Sequence, residues 1–231
     1  MSDMKNKIRI LQEKYYRQLY QDHNGTPMAV SSESLVHKEL RFREICRLFQ
    51  DEDSKNFFSV HDVGMGLGDL YNFFSTHFPH LNVNYSGSDI LKEYVESSRE
   101  RFPDSTFFHR DLTEGSATDT YDYVVLSGVF HQRRTSTIPE WESFWQSLLL
   151  NCWDMSRKGM AFNFVSPFVD YYQDNIYYCN IHKLIDFVAS SLSRHFTLNH
   201  NYALYEFTVL IYKPEYVRTL FPQNEFVKYF R

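Results

Sequence analysis

Phe57-Phe58-Ser59-Val60-His61-Asp62-Val63-Gly64-Met65-Gly66-Leu67-Gly68-Asp69-Leu70 is the stretch that decides the fold. Phe57, Phe58, Val60 and Val63 are the aromatic and β-branched residues that suit a pleated strand. Gly64, Gly66 and Gly68 then alternate with apolar residues, and Asp69, Leu70, Tyr71, Phe73 and Phe74 open a helical pattern. Strand, glycine turn and helix make the first βα unit of a nucleotide-binding sheet. Glycine permits the sharp turn and lets a ligand approach the backbone with no Cβ in the way. The spacing departs from the dinucleotide fingerprint, because Asp69 stands where its third glycine belongs. An acid there is a poor neighbour for a pyrophosphate and an acceptable one for an ammonium group.

Downstream, Val83 to Ser88 reads as a second strand closed by Asp89. Asp89 lies about 25 residues past Gly64, near the place of the acid that accepts from a ribose diol. Ile90 beside it can lie flat on a base. Asp89 can equally cap the helix over 91–101. A short third strand, Ser105 to His109, runs into Arg110-Asp111-Leu112. Tyr121 to Gly128 is nearly all apolar until Ser127, as a central parallel strand should be, and Phe130-His131-Gln132-Arg133-Arg134 follows its carboxyl end. A helix is expected over Ile138 to Met155, with Pro139 at its start and Arg157-Lys158-Gly159 as its exit. Next come a strand from Met160 to Val165, the aromatic run Tyr171, Tyr172, Tyr177, Tyr178, and a helix from Ile181 to Ser193 capped by Asn180. Two adjacent strands, His195 to Tyr202 and Leu204 to Tyr212, end at Pro214.

Upstream, a helix is expected over residues 4–21, broken at Asn24-Gly25 and Pro27. Ser31 and Ser32 can cap a second helix with Glu33 in its first turn. That helix carries Leu35, Leu40, Phe42, Ile45, Leu48 and Phe49. The pair can cover the carboxyl edge of the sheet or pack on its outside.

At 231 residues the chain suits one domain with an extension. Its net charge of −5 gives no global attraction to nucleic acid or to an anionic membrane. The first residues are polar and Lys-rich, unlike a signal peptide, and no run is long enough to span a bilayer. Cys46, Cys152 and Cys179 are isolated, which reads as reduced thiols in a cytoplasmic protein. No Cys/His pair has zinc-ligand spacing, so no metal is expected.

Asp62 with Gly64, Gly66 and Gly68 resembles the first motif of the class I S-adenosylmethionine (SAM)-dependent methyltransferases. Asp89 matches that family's ribose acid, Asp111-Leu112 its adenine contact, and Asp122 to His131, with Ser127, its fourth motif. The terminal antiparallel pair resembles the family's last two strands. The resemblance covers residues 57–213. It implies a doubly wound α/β fold: a seven-stranded, mostly parallel sheet with an antiparallel last strand and helices on both faces. It also implies a helical cap over 1–56, a tail over 214–231, SAM as cofactor and S-adenosylhomocysteine (SAH) as its product. Arg41, just upstream of the sheet, either meets the methionine carboxylate or is a solvated helix residue.

The acceptor would meet the carboxyl end of the fourth strand. His131 is the candidate general base, because its intrinsic pKa lies near neutrality; a structural histidine bonded to backbone is the other reading. Arg133 and Arg134 can hold an anionic acceptor or be solvated. Tyr15, Tyr16, Tyr20, Tyr171 and Tyr172 can wall the pocket, or pack in the core. Ser127-Gly128-Val129-Phe130 is not the Asn/Asp-Pro-Pro-aromatic motif of nucleobase amino methylation, which argues against nucleic acid. The expectation is an O-methyltransferase acting on a small acceptor: a sugar, a capsule-type intermediate that is phosphorylated or phosphoramidate-like, or a natural product. N-methylation of a small amine and a silent SAM-fold binding module stay open. An NAD-type oxidoreductase is disfavoured by the missing glycine spacing.

Overall fold

The computed structural model of the chain describes residues 2–23, 26–31, 34–115 and 117–230. Seven strands form one sheet: β1 Phe57–Val63, β2 Asn82–Asp89, β3 Thr106–His109, β4 Tyr121–Leu126, β5 Ser156–Val165, β6 Phe196–Asn199 and β7 Glu206–Tyr212. Their spatial order is β3-β2-β1-β4-β5-β7-β6. β1 to β5 are parallel, and β7 enters antiparallel between β5 and β6. The strand order reverses between β1 and β4, and a crevice opens there beyond the carboxyl ends of the strands.

The helices are α1 Ser2–His23, α2 Leu35–Cys46, α3 Asp69–His77, α4 Lys92–Arg101, α5 Ile138–Met155, α6 Ile181–Phe187 and α7 Pro214–Leu220. Strand alternation loads both faces of the sheet. Val124, Leu126, Phe162, Phe164, Phe207 and Val209 point to the face covered by Trp141, Trp145, Leu148 and Leu149 of α5. Phe58, Val60, Tyr123, Val125, Ala161 and Leu210 point to the other, against Phe42 and Ile45 of α2 and Phe73 and Phe74 of α3. The upstream pair of helices therefore divides its work. α2 is part of the core, while α1 lies across the carboxyl edge with Ile8 as its one fully buried apolar residue among those described.

Several boundaries move for physical reasons. α5 begins at Ile138 as expected, and Thr137 caps it in a box with Glu140: Glu140 accepts the Thr137 N–H at 2.8 Å and Thr137 accepts the Glu140 N–H at 3.4 Å. Its exit is not a loop. Ser156 pairs with Tyr121 at once, so Arg157-Lys158-Gly159 belongs to β5. The helix over 181–193 is α-helical only to Phe187 and closes in a π-turn, Val188–Leu192. β6 ends at Asn199, short of Tyr202. α2 is capped by Ser34, whose hydroxyl accepts the His37 N–H at 3.2 Å. Ser31 instead turns the chain with φ +57°. Asn24-Gly25, Ser32 and Glu33 lie outside the described residues. No described helix is long and apolar enough to cross a membrane.

Candidate active site

The glycine turn after β1 is tied down by its own amides. Gly64 and Met65 both donate to Ser88 O, at 2.8 and 3.2 Å. Gly66 donates to Asp89 Oδ2 at 3.0 Å, and Gly68 to Met65 O at 3.1 Å. Four of the N–H groups that a phosphate-cradling loop would present, those of residues 64, 65, 66 and 68, are therefore committed to the protein. Gly64 and Gly66 take φ +70° and +56°, and a Cβ on them would meet Val129 Cγ2 at 2.7 Å and Val30 Cγ1 at 2.9 Å.

Asp62, at the end of β1, is fully buried. Its Oδ2 accepts the Tyr85 hydroxyl at 2.6 Å, and its Oδ1 is buried with no partner. Burial raises its pKa to about 7; Tyr85 opposes that rise, and Asp89 adds to it. Asp89, at the end of β2, accepts from Gly66 N and, through Oδ1, from Leu91 N at 2.9 Å. Burial raises it to about 6, against the pull of those backbone bonds. Each of its oxygens keeps a second lone pair for a ligand.

These residues border a cavity of about 460 Å³ between the strand ends and α1, within the usual range for small-ligand sites. Of the residues expected to hold the cofactor, Arg41, Asp62, Gly64, Gly66, Asp89, Ile90, Asp111, Leu112 and Ser127 border it. Gly68 does not: it starts α3 with φ +73° and lies against Phe102. Asp111 keeps Oδ1 on Thr113, while its Oδ2 faces Arg9 of α1 at 3.5 Å. The residues present fit a nucleoside carrying an amino-acid chain. The orphaned Asp62 oxygen suits its ammonium, and Asp89 suits its diol.

At the other end of the cavity four elements bring together Arg41 of α2, His131 after β4, Asn163 of β5 and Glu206 at the start of β7. Arg41 grips Glu206 with a forked pair, its Nε 2.8 Å from Oε2 and its Nη2 on Oε1. Its Nη1 lies along Gly128. Gly128 N–H donates to Asn163 Oδ1 at 2.8 Å, and Asn163 Nδ2 donates to Glu206 Oε2. His131 Nε2 is 3.2 Å from Asn163 Nδ2 and 3.8 Å from Glu206 Oε2. Burial lowers His131 to about 4, against the pull of Glu206, so the ring is neutral at pH 7. Burial works to raise the Glu206 carboxyl, but the pull of His131, the Arg41 fork and the Asn163 amide together outweigh it and hold it below the usual carboxylate range.

His131, Tyr16 and Tyr171 border the cavity; Tyr15, Tyr20, Arg133, Arg134 and Tyr172 do not. Arg133 spends its guanidinium on backbone, Nε to Ile176 O at 3.2 Å and Nη1 to Ser136 O at 2.7 Å. Arg134 lies 3.9 Å over the Tyr15 ring, whose hydroxyl is 3.1 Å from Ser31 Oγ. Tyr20 packs edge-on to Tyr94. Tyr172 is exposed and bonds Pro167 O at 2.9 Å. Neither Arg133 nor Arg134 borders the cavity, and each guanidinium turns to the chain's own backbone or to the Tyr15 ring. Glu206 and Asn163 escaped the sequence reading. Their signal was a polar residue set in or opening an otherwise apolar strand, which alone names no partner.

No family profile matches the chain. The Mycobacterium tuberculosis (strain ATCC 25618 / H37Rv) protein named "Putative methyltransferase Rv1506c" is 31% identical over 159 residues, which are 68% of this chain and 93% of that one. Among solved structures, magnesium protoporphyrin IX methyltransferase of Synechocystis PCC 6803 with bound SAM has a TM-score of 0.60 at 15% identity, covering 90% of this chain and 96% of that one. The N-methyltransferase NodS of Bradyrhizobium japonicum WM9 with SAH has a TM-score of 0.58 at 12% identity, covering 87% and 96%. The structural likeness shows the fold; the relative shows the family.

Proposed function

Since this chain belongs to the class I methyltransferases, we propose that it moves a methyl group from SAM to an oxygen of a small acceptor molecule. The observation that carries the cofactor assignment is the contrast within the glycine turn. Its amides at 64, 65, 66 and 68 are spent internally, while the adjacent Asp62 holds a buried, unpartnered carboxylate oxygen. Such a site disfavours a pyrophosphate and favours a ligand with an ammonium group.

In this reading Asp62 faces the ammonium and Asp89 accepts from the ribose hydroxyls. Ile90 and Leu112 sandwich the adenine, Asp111 accepts from its amino group, and Arg41 Nη1 meets the carboxylate. The cofactor, when bound, supplies a methyl activated by a sulfonium. The protein's task is then to hold the acceptor in line and dry. Ser127 and Gly128 follow β4 directly and lead to His131 at the reaction edge. Tyr171, Ile176, Leu204 and Tyr205, which border the cavity, offer apolar and aromatic walls for an acceptor ring, such as a sugar or a natural-product intermediate. Neutral His131 supports an oxygen acceptor, which its ring can hydrogen-bond.

Two measurements test this reading. Titration calorimetry should show saturable SAH binding; NAD binding without SAH binding would sink it. A panel of small acceptors incubated with SAM should yield a product heavier by one methyl group.

A further inference from the structure

His131 has one nitrogen already spoken for. Asn163 is oriented by Gly128: a backbone N–H bonds only an acceptor, so the atom 2.8 Å from Gly128 N is the amide oxygen. The amide NH2 then faces both Glu206 and His131. One of its hydrogens goes to Glu206 Oε2, and the other points to His131 Nε2 at 3.2 Å. A nitrogen that accepts carries no proton. In a neutral imidazole the proton then sits on the other nitrogen, Nδ1, which has no protein partner among the described residues.

We propose that Asn163 fixes His131 as the Nδ1–H tautomer, so that the ring donates a hydrogen bond to the acceptor, and that the acceptor enters as an oxyanion such as a carboxylate. The proposal rests on the methyltransferase reading for the identity of the acceptor, and not for the tautomer. Among the described residues, the titratable groups beside His131 are already engaged. His131 Nε2 is engaged, Glu206 is bound by Arg41 and Asn163, and the Tyr205 hydroxyl is on Asp170. Asp69, farther along the wall, is paired with Lys38 and Arg101. Tyr171 stands exposed at the mouth. An oxyanion needs no base. Its lone pair forms the new C–O bond as the methyl–sulfur bond breaks, and the electron pair of that bond stays on sulfur. The negative charge of the acceptor and the positive charge of the sulfonium disappear together, and no proton is left over. This anion preference stands on the Nδ1–H donor of His131 and on the engagement of the described groups beside it; Arg133 and Arg134 play no part in it.

The test is nuclear magnetic resonance of protein carrying ¹⁵N-histidine at neutral pH, with His131→Gln used to assign the ring. A protonated Nδ1 and a bare Nε2 are expected; a proton on Nε2, or on both nitrogens, overturns the tautomer. In Asn163→Asp the carboxylate accepts instead of donating, and the proton should move to Nε2. If that variant does not fold, the wild-type spectrum alone decides. With SAH bound, benzoate should progressively displace the Nδ1–H resonance and benzyl alcohol should not. No displacement by benzoate, or equal displacement by both, overturns the oxyanion class. SAH binding itself is followed by calorimetry; its absence would overturn the methyltransferase reading and leave the tautomer result standing.

Discussion

The Asp89 carboxylate ties the end of β2 to the glycine turn after β1, its Oδ2 accepting the Gly66 N–H at 3.0 Å. The same side chain serves the start of α4 through Leu91 N. Asp89→Ala should therefore do two things. SAH affinity should fall at least about tenfold, since charge-assisted bonds to the ribose are worth about 1.5–3 kcal/mol each. Stability should fall by about 1–3 kcal/mol, because two backbone donors lose their acceptor. Calorimetry and urea unfolding separate these effects. Unchanged affinity would reduce Asp89 to a structural tie.

Cofactor affinity should depend on pH. Burial raises Asp62 to about 7 and Asp89 to about 6, while an ammonium group and a diol favour the ionised forms. Below each raised pKa, binding must first expel a proton, at a cost of about 1.4 kcal/mol per pH unit per group. SAH should bind more tightly as pH rises from about 5 to 8, with net proton release. Calorimetry in two buffers of different ionisation enthalpy checks this; tighter binding at low pH would contradict it.

His61 lies wholly inside, its Nδ1 2.8 Å from Ser86 Oγ and its Nε2 3.0 Å from Ser88 Oγ, with its ring stacked on Tyr121. Burial lowers its pKa to about 3. The unfolded chain binds this proton first, so the contribution of His61 is complete above the unfolded value near 6.5 and is lost as pH falls toward 3. Against His61→Gln, which does not titrate, the wild-type advantage should shrink by about 1.4 kcal/mol per pH unit below about 6.5. Comparing the two proteins cancels the opposing titration of Asp62 and Asp89. Parallel stability curves for the two proteins would refute it.

The outer glycines of the turn should separate binding from folding. A Cβ at Gly64 reaches Val129 at the cavity wall, whereas one at Gly68 reaches Phe102 Cε2 at 2.9 Å, away from the cavity. Both carry positive φ, which costs an alanine about 1–2 kcal/mol. Gly68→Ala should lose stability and keep its SAH affinity. Gly64→Ala should lose both. Equal affinity loss in the two variants would deny the distinction.

The legible part of this protein was local. Glycines 64, 66 and 68, Pro139 and the apolar run of β4 act on neighbouring residues, so β1, its turn, α3 and the span of α5 could be read from the chain. So could the positions of Asp62, Asp89 and Asp111, which the order of strands brings to one edge. The acceptor end is different. Arg41 and Glu206 are 165 residues apart, and nothing near either names the other. Arg133 and Arg134 look free in sequence because the Ile176 carbonyl that engages the one and the Tyr15 ring that engages the other lie far away along the chain. Whether a polar side chain faces a ligand or its own backbone is decided by tertiary contacts.

The roof of the cavity has a consequence for turnover. α1 brings Arg9, Gln12 and Tyr16 to the cavity wall, yet it is fastened largely by polar ties: Lys5 to Thr113 O at 3.0 Å, Gln12 to Gln132 O at 2.6 Å and Arg17 to Glu93 at 2.6 Å. Each such tie is worth only about 0.5–1.5 kcal/mol net, and about 1.5–3 kcal/mol where charged. Among the described residues of α1, Ile8 is the one fully buried apolar side chain, with Met4 packed beside the core and Tyr16 and Tyr20 against Tyr94. The amides of α1 should accordingly exchange with deuterium faster than those of α5, and slow when SAH binds. In the proposed reading the spent cofactor lies beneath this helix, and its release should then require the helix to lift. Once chemistry is quick, turnover is then set by an unfastening rate, one that solvent viscosity slows and Ile8→Ala quickens.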